Sequence, residues 1–512
     1  MSPERINQVV LGEKINIEQF VAVARFGAGV TFSEDYCRRV DKSRALVEKW
    51  VDEGRVMYGV TTGFGAMCTQ AITKEETARL QKNIILSHST SVGEPLTQEQ
   101  ARATMLMVLQ NLGQGFSGVR LVVLERFRDF LNRGLIPWMP REGSVGYLCP
   151  EAHMALVLTG EGQAWWQGEL LPAAEALRRA GFEPLELSSK EGLALVSGTT
   201  AVTGLAALAA YDLIKAAKSA DIIGALTLEA LKGVIRAFDE RVMSVRPHQD
   251  QMDTAENVRK FLADSEVIEN SKRARLQDAL SLRCIPQLHG AAKKTLRQCL
   301  DTIETEMNSC CDNPIIWPDE NDPDVISACN ADSAYVGLAM DSAAVAATML
   351  AKMSERRNNR MIDESLSGYS CFLIKNPGLN SGLMIPQYTQ AGLLNDMRIL
   401  CTPASIDNTP TCASQEDYVA MGYNAAKKAV AVVDKLEYIL AIELLSVFAA
   451  QDFMNTTLRR GSASLAVLTE IGRHVPKLER DLYLFPHINY LKDLIHSGTL
   501  VRIAEEKTGP LK

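Results

Sequence analysis

Three long segments rich in alanine, leucine and methionine place apolar residues at helical spacing from about residue 193 onward. They are Thr200 to Arg236, Ala334 to Met361 and Tyr423 to Met454. A helix of about thirty residues is about 45 Å long, far beyond an average globular helix, and needs packing partners along most of its length. The pattern therefore predicts an all-α fold with a long central helical bundle. Apolar stripes of this extent also favour an oligomer.

The N-terminal region has a different character. It contains short helical segments interrupted by glycine-rich turns over residues 54–65 and 143–146. Glycine permits the tight and left-handed backbone conformations that such turns need. We therefore expect a smaller N-terminal region, residues 1–200, followed by a long-helix bundle with C-terminal helices, residues 201–512.

Charge and apolar patterning exclude several classes of partner. The formal net charge is -8 and both signs are spread along the chain, which predicts no nucleic-acid partner. The first twenty residues lack the continuous apolar core of a secretory signal, so a cytoplasmic location is expected. Charged residues interrupt the apolar stretch Ala201–Leu231 at helical intervals, which favours a core helix over a membrane span.

The eleven cysteines show no spacing typical of a metal site. There is no Cys-x-x-Cys pair and no His/Cys cluster with zinc spacing. The neighbours Cys310 and Cys311 cannot easily form an unstrained disulfide. We therefore expect reduced thiols and no bound metal.

Four polar residues stand in patterns that have both a structural and a catalytic interpretation. Taken alone, Tyr58 in the turn Tyr58–Gly65 favours a half-buried packed aromatic side chain. His88 alone favours a structural histidine, and Arg283 a solvated surface charge. Asn313 precedes a proline and suits an ordinary turn.

Together, seven sequence blocks resemble the histidine and aromatic amino acid ammonia-lyase family. The stretch Pro140–Leu156 resembles the active-site loop of that family. The other six blocks follow the family order, namely residues 58–65, 80–88, 277–287, 306–314, 376–384 and 414–419. The resemblance implies an all-α homotetramer with long central helices. It also implies a small-molecule substrate and active sites that each draw on three subunits.

The resemblance assigns roles to individual residues. Tyr58 inherits the removal of the substrate β-proton, and His88 inherits a contact with the substrate ring. Arg283 inherits the grip on the substrate carboxylate, which suits the bidentate guanidinium fork. Asn313 inherits a contact with the substrate or the loop. A tyrosine that acts as a base near neutral pH needs a pKa well below its ordinary value of about 10. Lys375 is the candidate cation for that shift or for receiving a thiolate-like sulfur of the substrate, and an exposed loop lysine is its structural alternative.

The chain departs from the family at the electrophile. In the family, an Ala-Ser-Gly triplet after Gly-Ser-Val-Gly cyclises into a methylidene-imidazolone, but here Gly146 is followed directly by Tyr147. Tyr147 stands where the family has Asp. The other replacements are Ser197 for Asn, Leu280 for Tyr, and Ala331 with Asp332 for Phe-His. Ser197 and Asp332 are thus predicted to line a changed substrate site that works without an electrophilic cofactor.

A quaternary ammonium group needs no such electrophile, because it already carries positive charge and departs as a neutral amine. The sequence therefore predicts a carbon-nitrogen lyase of the trimethylammonia-lyase branch, which eliminates trimethylamine from ergothioneine to give thiourocanate. In this hypothesis Tyr58 removes the proton and Arg283 holds the carboxylate. His88 and Glu416 orient the thioimidazole, since a carboxylate can accept its N–H. Asp332 accommodates the trimethylammonium, and capping of the following helix is its equally weighted alternative.

Two other interpretations remain open. One is a histidine or aromatic amino acid ammonia-lyase whose methylidene-imidazolone is missing from the plain sequence. The other is a catalytically inactive homologue that binds aromatic acids or assembles with an active paralogue. The retention of Tyr58, Arg283 and Glu416 favours an active enzyme over a relic.

Overall fold

Helices dominate the chain, whose computed structural model describes residues 2–512. In chain order they are α1 (Ile17–Ala24), α2 (Glu34–Asp52), α3 (Thr77–His88), α4 (Gln98–Leu112), α5 (Leu121–Arg133), α6 (Glu151–Leu158), α7 (Ala173–Ala180), α8 (Glu191–Val196), α9 (Thr200–Ala230), α10 (Glu240–Ser244), α11 (Gln249–Phe261), α12 (Glu266–Ser271), α13 (Leu280–Arg283), α14 (Ile285–Met307), α15 (Ala334–Ile362), α16 (Glu364–Ser367), α17 (Met384–Leu400), α18 (Gly422–Ala450), α19 (Ser462–Gly472), α20 (Phe485–His496) and α21 (Thr499–Thr508). The long helices α9, α15 and α18 lie where the apolar periodicity predicts them, which confirms the all-α class.

Short strands form four small sheets. They are β1 (Gln8–Leu11), β2 (Gly29–Phe32), β3 (Val92–Pro95), β4 (Ile136–Pro137), β5 (Pro140–Glu142), β6 (Gln163–Trp166), β7 (Glu169–Pro172), β8 (Ile315–Trp317) and β9 (Asp324–Ile326). β1 and β2 pair in parallel, whereas the pairs β3–β5 and β8–β9 and the three-stranded β4–β6–β7 sheet are antiparallel. Their short strands lie in the connections between helices, so the fold remains all-α.

Two compact units, each built from three stretches of chain, divide the molecule. The first unit comprises Met1–Tyr211, Leu300–Asp341 and Pro403–Lys428. The second comprises Asp212–Cys299, Ser342–Thr402 and Ala429–Lys512. The helices α9, α14, α15 and α18 each contribute residues to both units. The domain boundary expected at residue 200 stays a prediction.

Side-chain caps determine where several helices of the first unit begin. The side chain of Asn16 accepts the N–H of Gln19, 2.9 Å away, and the Gln19 side chain accepts the N–H of Asn16, 3.0 Å away. Thr97 and Gln100 form the same reciprocal pair at the start of α4. Each cap satisfies amide groups that a helix leaves unpaired at its N-terminus. The local sequence therefore specifies these helix starts.

A hydrophobic cluster in the first unit fixes the chain on both sides of Tyr58. Its members are Val47, Trp50, Val51, Met57, Val60 and Ile316. Met57 and Val60 are almost wholly buried in this cluster. Since burial of each such side chain contributes roughly 1.5–3 kcal/mol, the backbone that carries Tyr58 is firmly anchored.

Two helical stretches are long and apolar enough, by length and composition, to cross a membrane. They are Glu191–Ala230 and Ala334–Ile362. The most apolar window of the first is entirely buried within the protein, and 67% of the corresponding window of the second is buried. Core helices of folded proteins pass the same test, so these two stretches are weak evidence for a membrane span.

Lys190 and Asp312 form a fully buried ion pair in the first unit. The Lys190 Nζ lies 2.6 Å from an Asp312 carboxylate oxygen, and both side chains have no solvent exposure. Lys190 immediately precedes α8, and Asp312 immediately precedes Asn313. A buried charge is tolerated only with its partner, because either ion alone carries the full desolvation penalty.

Glu151, at the start of α6, is a second buried charged group. One carboxylate oxygen accepts the N–H of Ala201, 2.8 Å away, and the hydroxyl of Thr200, 3.0 Å away. The other oxygen has no hydrogen-bond partner among residues 2–512. Burial raises the pKa of Glu151 to about 7, against the lowering effect of these hydrogen bonds. The carboxyl group is therefore partly protonated near neutral pH.

We expect Lys190→Met to lower the free energy of unfolding by about 3–5 kcal/mol, because it leaves the Asp312 carboxylate buried without a counter-charge. Urea unfolding followed by circular dichroism measures the change. The matched control is Lys42→Met, since the Lys42–Glu320 pair is exposed by 47% and 84%. Equal effects of the two substitutions would contradict the importance of the buried pair.

We expect Glu151→Gln to flatten the dependence of stability on pH. Because the folded protein binds this proton more tightly than the unfolded chain, the stabilisation is complete below pH about 4.5 and is lost as the pH rises through about 7. The loss amounts to roughly 3 kcal/mol at about 1.4 kcal/mol per pKa unit. Unfolding midpoints at pH 5 and pH 8 measure it, with the exposed Glu94→Gln as the control. An unchanged difference between the two midpoints would contradict the assignment.

Candidate functional site

The lid segment, residues 58–67, carries the tyrosine that the sequence predicts as the base. The Tyr58 hydroxyl oxygen accepts the N–H of Gly65 over 2.7 Å, which closes the segment into a turn. The buried Gln81 side chain on α3 donates to the carbonyl of Gly59, 3.1 Å away. The half-buried phenol is therefore held both by its own turn and by α3.

The lid segment is docked against the chain that precedes Glu416. The N–H of Ala66 donates to the sulfur of Cys412, 3.3 Å away. Gly65 has a φ of +56°, and a Cβ atom there would lie 2.4 Å from the same sulfur. The two segments can thus approach this closely only because Gly65 has no side chain to collide with the Cys412 thiol.

Backbone strain accumulates immediately before Glu416. Cys412, Ala413 and Ser414 have φ values of 51°, 52° and 66°, in the left-handed region that non-glycine residues rarely occupy. Such strain persists only where the surrounding structure demands it, and it clusters at functional sites. Thr411 and Glu416 close this turn by exchanging backbone hydrogen bonds of 2.9 and 3.4 Å. The turn therefore presents Glu416 in a defined orientation.

The two oxygens of the Glu416 carboxylate have different environments. Oε2 accepts the phenol of Tyr147 over 3.0 Å and the hydroxyl of Thr411 over 2.8 Å. Oε1 has no hydrogen-bond partner in the part of the chain that the structure describes, residues 2–512. One oxygen is thus fixed by the protein, and the other is available to accept an N–H from a ligand.

His88 ends α3 close to this carboxylate. Its Nδ1 lies 2.8 Å from the carbonyl oxygen of Ile84, so Nδ1 carries the proton and Nε2 is an acceptor. The ring centroid lies 5.2 Å from that of Phe64 in the lid segment. Burial lowers the pKa of His88, while the charge of Glu416 acts in the opposite direction. The imidazole is therefore neutral at pH 7.

The surroundings of Tyr58 do not supply the pKa that the predicted base needs. Burial raises the pKa of Tyr58, the N–H of Gly65 lowers it, and the nearby carboxylate and thiols of Glu416, Cys412 and Cys68 raise it further. The net shift is upward from the ordinary value of about 10. Within one chain the phenol is thus protonated at neutral pH.

Ser197 and Asn313 are in direct contact in the first unit. The N–H of Asn313 donates to the Ser197 hydroxyl over 3.1 Å, and the Asn313 side-chain oxygen accepts the N–H of Ala328 over 2.9 Å. The carbonyl of Val196 accepts the N–H of Leu148 over 2.9 Å. The structure therefore brings two predicted site residues together beside the loop of residues 143–149.

Asp332 caps the helix that follows it, as the structural interpretation of this residue predicts. Its carboxylate accepts the N–H of Ala334, the first residue of α15, over 2.8 Å. Burial, followed by nearby carboxylates that include Asp332, also raises the pKa of the Tyr147 phenol. The same two causes raise the pKa of Tyr418. Asp332 therefore caps a helix and also faces the phenols of the site.

Arg283 and Lys375 lie in the second unit. Arg283 ends α13, is half-buried, and donates through Nε to the carbonyl of Asp278 over 3.0 Å. Lys375 is exposed, and its Nζ lies 3.4 Å from a carboxylate oxygen of Glu479. The carboxylate-binding role of Arg283 and the role of Lys375 beside Tyr58 stay predictions.

The eleven cysteines carry free thiols. No group of three or more histidine, cysteine, aspartate or glutamate side chains is arranged to hold a metal ion among residues 2–512. The ionisable groups of the candidate site are carboxylates, phenols, thiols and one imidazole.

Sequence reasoning did not identify three residues that organise this site. Tyr147 and Thr411 bind the Glu416 carboxylate, and Cys412 contacts the lid segment. Tyr147 was visible in the sequence as a departure from the family pattern, directly after the shortened loop. Thr411 and Cys412 gave no such signal, because their contacts depend on tertiary structure.

The residues of the loop 143–149 do not fit the electrophile of the family. Cyclisation needs consecutive Ala-Ser-Gly residues, whereas Gly146 is joined directly to Tyr147. The N–H of Gly146 binds the Ser144 hydroxyl over 3.2 Å, and the Tyr147 phenol is bound to Glu416. No reaction step is therefore assigned to that group.

Known proteins resemble the chain over nearly its whole length. The histidine ammonia-lyase of Caldanaerobacter subterraneus is 43% identical over 502 residues, which cover 98% of each chain. The crystal structure of histidine ammonia-lyase from Trypanosoma cruzi has a TM-score of 0.91 at 34% identity and covers 98% of this chain and 95% of that one. The crystal structure of ergothionase from Treponema denticola has a TM-score of 0.90 at 26% identity and covers 96% and 99%.

These comparisons overturn the prediction of a trimethylamine-releasing lyase that acts on ergothioneine. The chain is much closer to histidine ammonia-lyase, at 43% identity, than to the ergothionase, at 26%. The comparisons also give no support to a cofactor-independent reaction. The local replacements have structural roles, because Ser197 binds the backbone of Asn313 and Asp332 caps α15. Such structural contacts do not define a leaving group.

The family itself follows from the extent of the match. A model of the family described as aromatic amino acid lyase matches residues 15–473, which include the lid segment, the shortened loop and the Glu416 turn. The chain therefore belongs to the aromatic amino acid lyase family, within the ammonia-lyase superfamily of carbon-nitrogen lyases.

Proposed function

We propose that the protein is a carbon-nitrogen lyase that takes histidine, or a closely related imidazole amino acid, and releases its α-amino group as ammonia. The observation that carries the proposal is the free Oε1 of Glu416 beside the neutral ring of His88. The 43% identity to a histidine ammonia-lyase supports the same substrate class.

An imidazole ring complements these two groups. A neutral imidazole has one N–H donor and one acceptor nitrogen. In the proposed complex, Glu416 Oε1 accepts the ring N–H, and the flat ring lies against His88 and Phe64. A phenyl ring offers no N–H, so it would leave the carboxylate oxygen without a partner. The site therefore selects for a ring with a hydrogen-bond donor.

Tyr58 is the proposed base for the β-proton. The phenolate is the active form, and burial disfavours it in the free protein, so a cation beside Tyr58 is needed. Arg283 is proposed to hold the substrate carboxylate through its guanidinium fork, and Lys375 to provide the cation that favours the phenolate. These last two assignments rest on the family resemblance.

The working form is proposed to be a homotetramer. Members of the superfamily are commonly homotetramers. The exposed side chains of Tyr335, Leu338 and Val345 follow one face of α15 at helical spacing, at 78%, 59% and 47% exposure. An apolar stripe of this kind on a long core helix supports association with further copies.

A second candidate function is binding of imidazole acids without turnover. The direct Gly146–Tyr147 bond favours it, because the backbone of this loop cannot form the family's electrophile. Incubation with histidine separates the two functions. Formation of urocanate with an equal amount of ammonia supports the lyase, whereas binding of histidine without either product supports the inactive homologue. Intact mass decides whether the purified protein carries a cyclised Ala-Ser-Gly in addition to the 512 residues.

We expect Tyr58→Phe to lower kcat with histidine by about 10²–10⁴-fold, the usual contribution of general acid-base catalysis, with little change in histidine binding. Stopped assays of ammonia release and calorimetric titration measure the two quantities. Comparable losses of binding and turnover would contradict the role of a base.

The same tyrosine predicts the pH dependence of the wild-type protein. Because burial raises the pKa of Tyr58, the phenolate fraction and kcat/KM should keep rising with pH beyond the ordinary tyrosine value of about 10. A basic limb well below 10 would instead reveal a cation beside Tyr58 in the assembled protein. Lys375→Met should then move that limb back to higher pH.

We expect Gly65→Ala to lower kcat/KM by about 10²-fold, since a displacement of about 1 Å in a catalytic group has effects of this size. The new methyl group would force the Cys412 sulfur away and break its hydrogen bond with Ala66. The matched control is Gly54→Ala, which has a similar φ of +69° but no atom within 4 Å of the added Cβ. Equal losses in both variants would show that docking of the lid segment is unimportant.

A further inference from the structure

Tyr147 directly follows Gly146 in the shortened loop, and its side chain contacts Glu416. Its phenol donates to Oε2 over 3.0 Å, and Thr411 donates to the same oxygen over 2.8 Å. Tyr147 and Glu416 are 269 residues apart in sequence. Two donors therefore converge on one oxygen of a carboxylate whose other oxygen has no partner among residues 2–512.

The Tyr147 phenol acts as a hydrogen-bond donor and not as a base. Burial and the adjacent Glu416 carboxylate raise its pKa far above the ordinary value of about 10. Cys329 and Asp332 act in the same direction. The proton therefore stays on Tyr147 at neutral pH.

The backbone around Tyr147 is fixed. The N–H of Leu148 donates to the carbonyl of Val196 over 2.9 Å, and Leu148 itself has a φ of 71°. A Cβ atom on the preceding Gly146 would lie 2.3 Å from the hydroxyl of Ser333. The loop is thus packed too closely to allow Tyr147 to shift without disturbing its neighbours.

We propose that Tyr147 is a positioning residue for ring specificity, which fixes Glu416 so that Oε1 accepts the N–H of an imidazole-bearing carboxylic acid. This inference rests on the proposed imidazole substrate. Tyr147 acts through Glu416, whose Oε2 would keep only the Thr411 donor without this phenol, so that the carboxylate would be held less firmly against rotation about its last side-chain bond. Partial rotation turns Oε1 out of the direction in which it meets the ring N–H, and so weakens the preference for an N–H ring.

The test compares two probes that share a propionate arm and differ in the ring. Calorimetric titration of the full-length protein with 3-(imidazol-4-yl)propionate and with 3-phenylpropionate gives a ratio of Kd values. We expect Tyr147→Phe to reduce the preference for the imidazole acid about tenfold, the effect of one hydrogen bond to a charged group, with unchanged binding of the phenyl acid. Tyr483→Phe is the same chemical change at an exposed position and should preserve the ratio.

A double variant separates action through Glu416 from direct contact with the ring. In the Glu416→Gln background, Tyr147→Phe should leave the ratio unchanged, because the directed carboxylate is already absent. A tenfold loss that persists in that background overturns the positioning role. An intact preference in the single Tyr147→Phe variant also overturns it, while the proposed function survives. Equal binding of the two acids by the wild-type protein overturns both the inference and the proposed imidazole substrate.

Discussion

The carboxylate of Glu416 is the charge around which the first unit arranges its candidate site. It receives hydrogen bonds from Tyr147 and Thr411, and its field shifts the pKa values of Tyr58 and His88. These groups come from separate parts of the chain, and the strained turn before Glu416 contacts the lid segment through Cys412. The Glu416 carboxylate therefore accepts a ligand hydrogen bond in one direction. Its Oε2 is held by the protein's own donors, and its Oε1 points away from them.

The site of the first unit has an excess of negative charge near its phenols. Glu416 and the thiols of Cys412 and Cys68 all oppose ionisation of Tyr58. The protonated amino group of a bound substrate, on the carbon next to the one that Tyr58 deprotonates, would lower the pKa of Tyr58 by the same electrostatic rule. Substrate binding would then favour the phenolate that removes the proton. The elevated pKa in the free protein is therefore compatible with a base that becomes active in the complex.

The sequence predicted those features that depend on short-range pattern. Helical periodicity predicted α9, α15 and α18, because apolar residues at helical spacing mark the face that a long helix buries. The ordered family blocks predicted that Tyr58, His88 and Glu416 belong to one substrate site, although the expected boundary at residue 200 separates Glu416 from the other two. The structure places all three in the first unit. The partners of Glu416 could not be predicted, since the contact with Tyr147 spans 269 residues and depends on the left-handed turn at Cys412–Ser414. No local propensity favours that turn.

The error in substrate class has a physical origin in the same loop. The absence of Ala-Ser-Gly predicts a different leaving group only if the shortened loop changes chemistry alone, yet it changes the geometry of the site as well. Tyr147, which follows the gap, contacts the carboxylate proposed to bind the substrate ring, at the end of the substrate opposite the departing amine. The replacement of Asp by Tyr at this position is therefore better explained by ring recognition than by the leaving group. A phenol suits this role, because it reaches further than a carboxylate and remains a neutral donor next to Glu416.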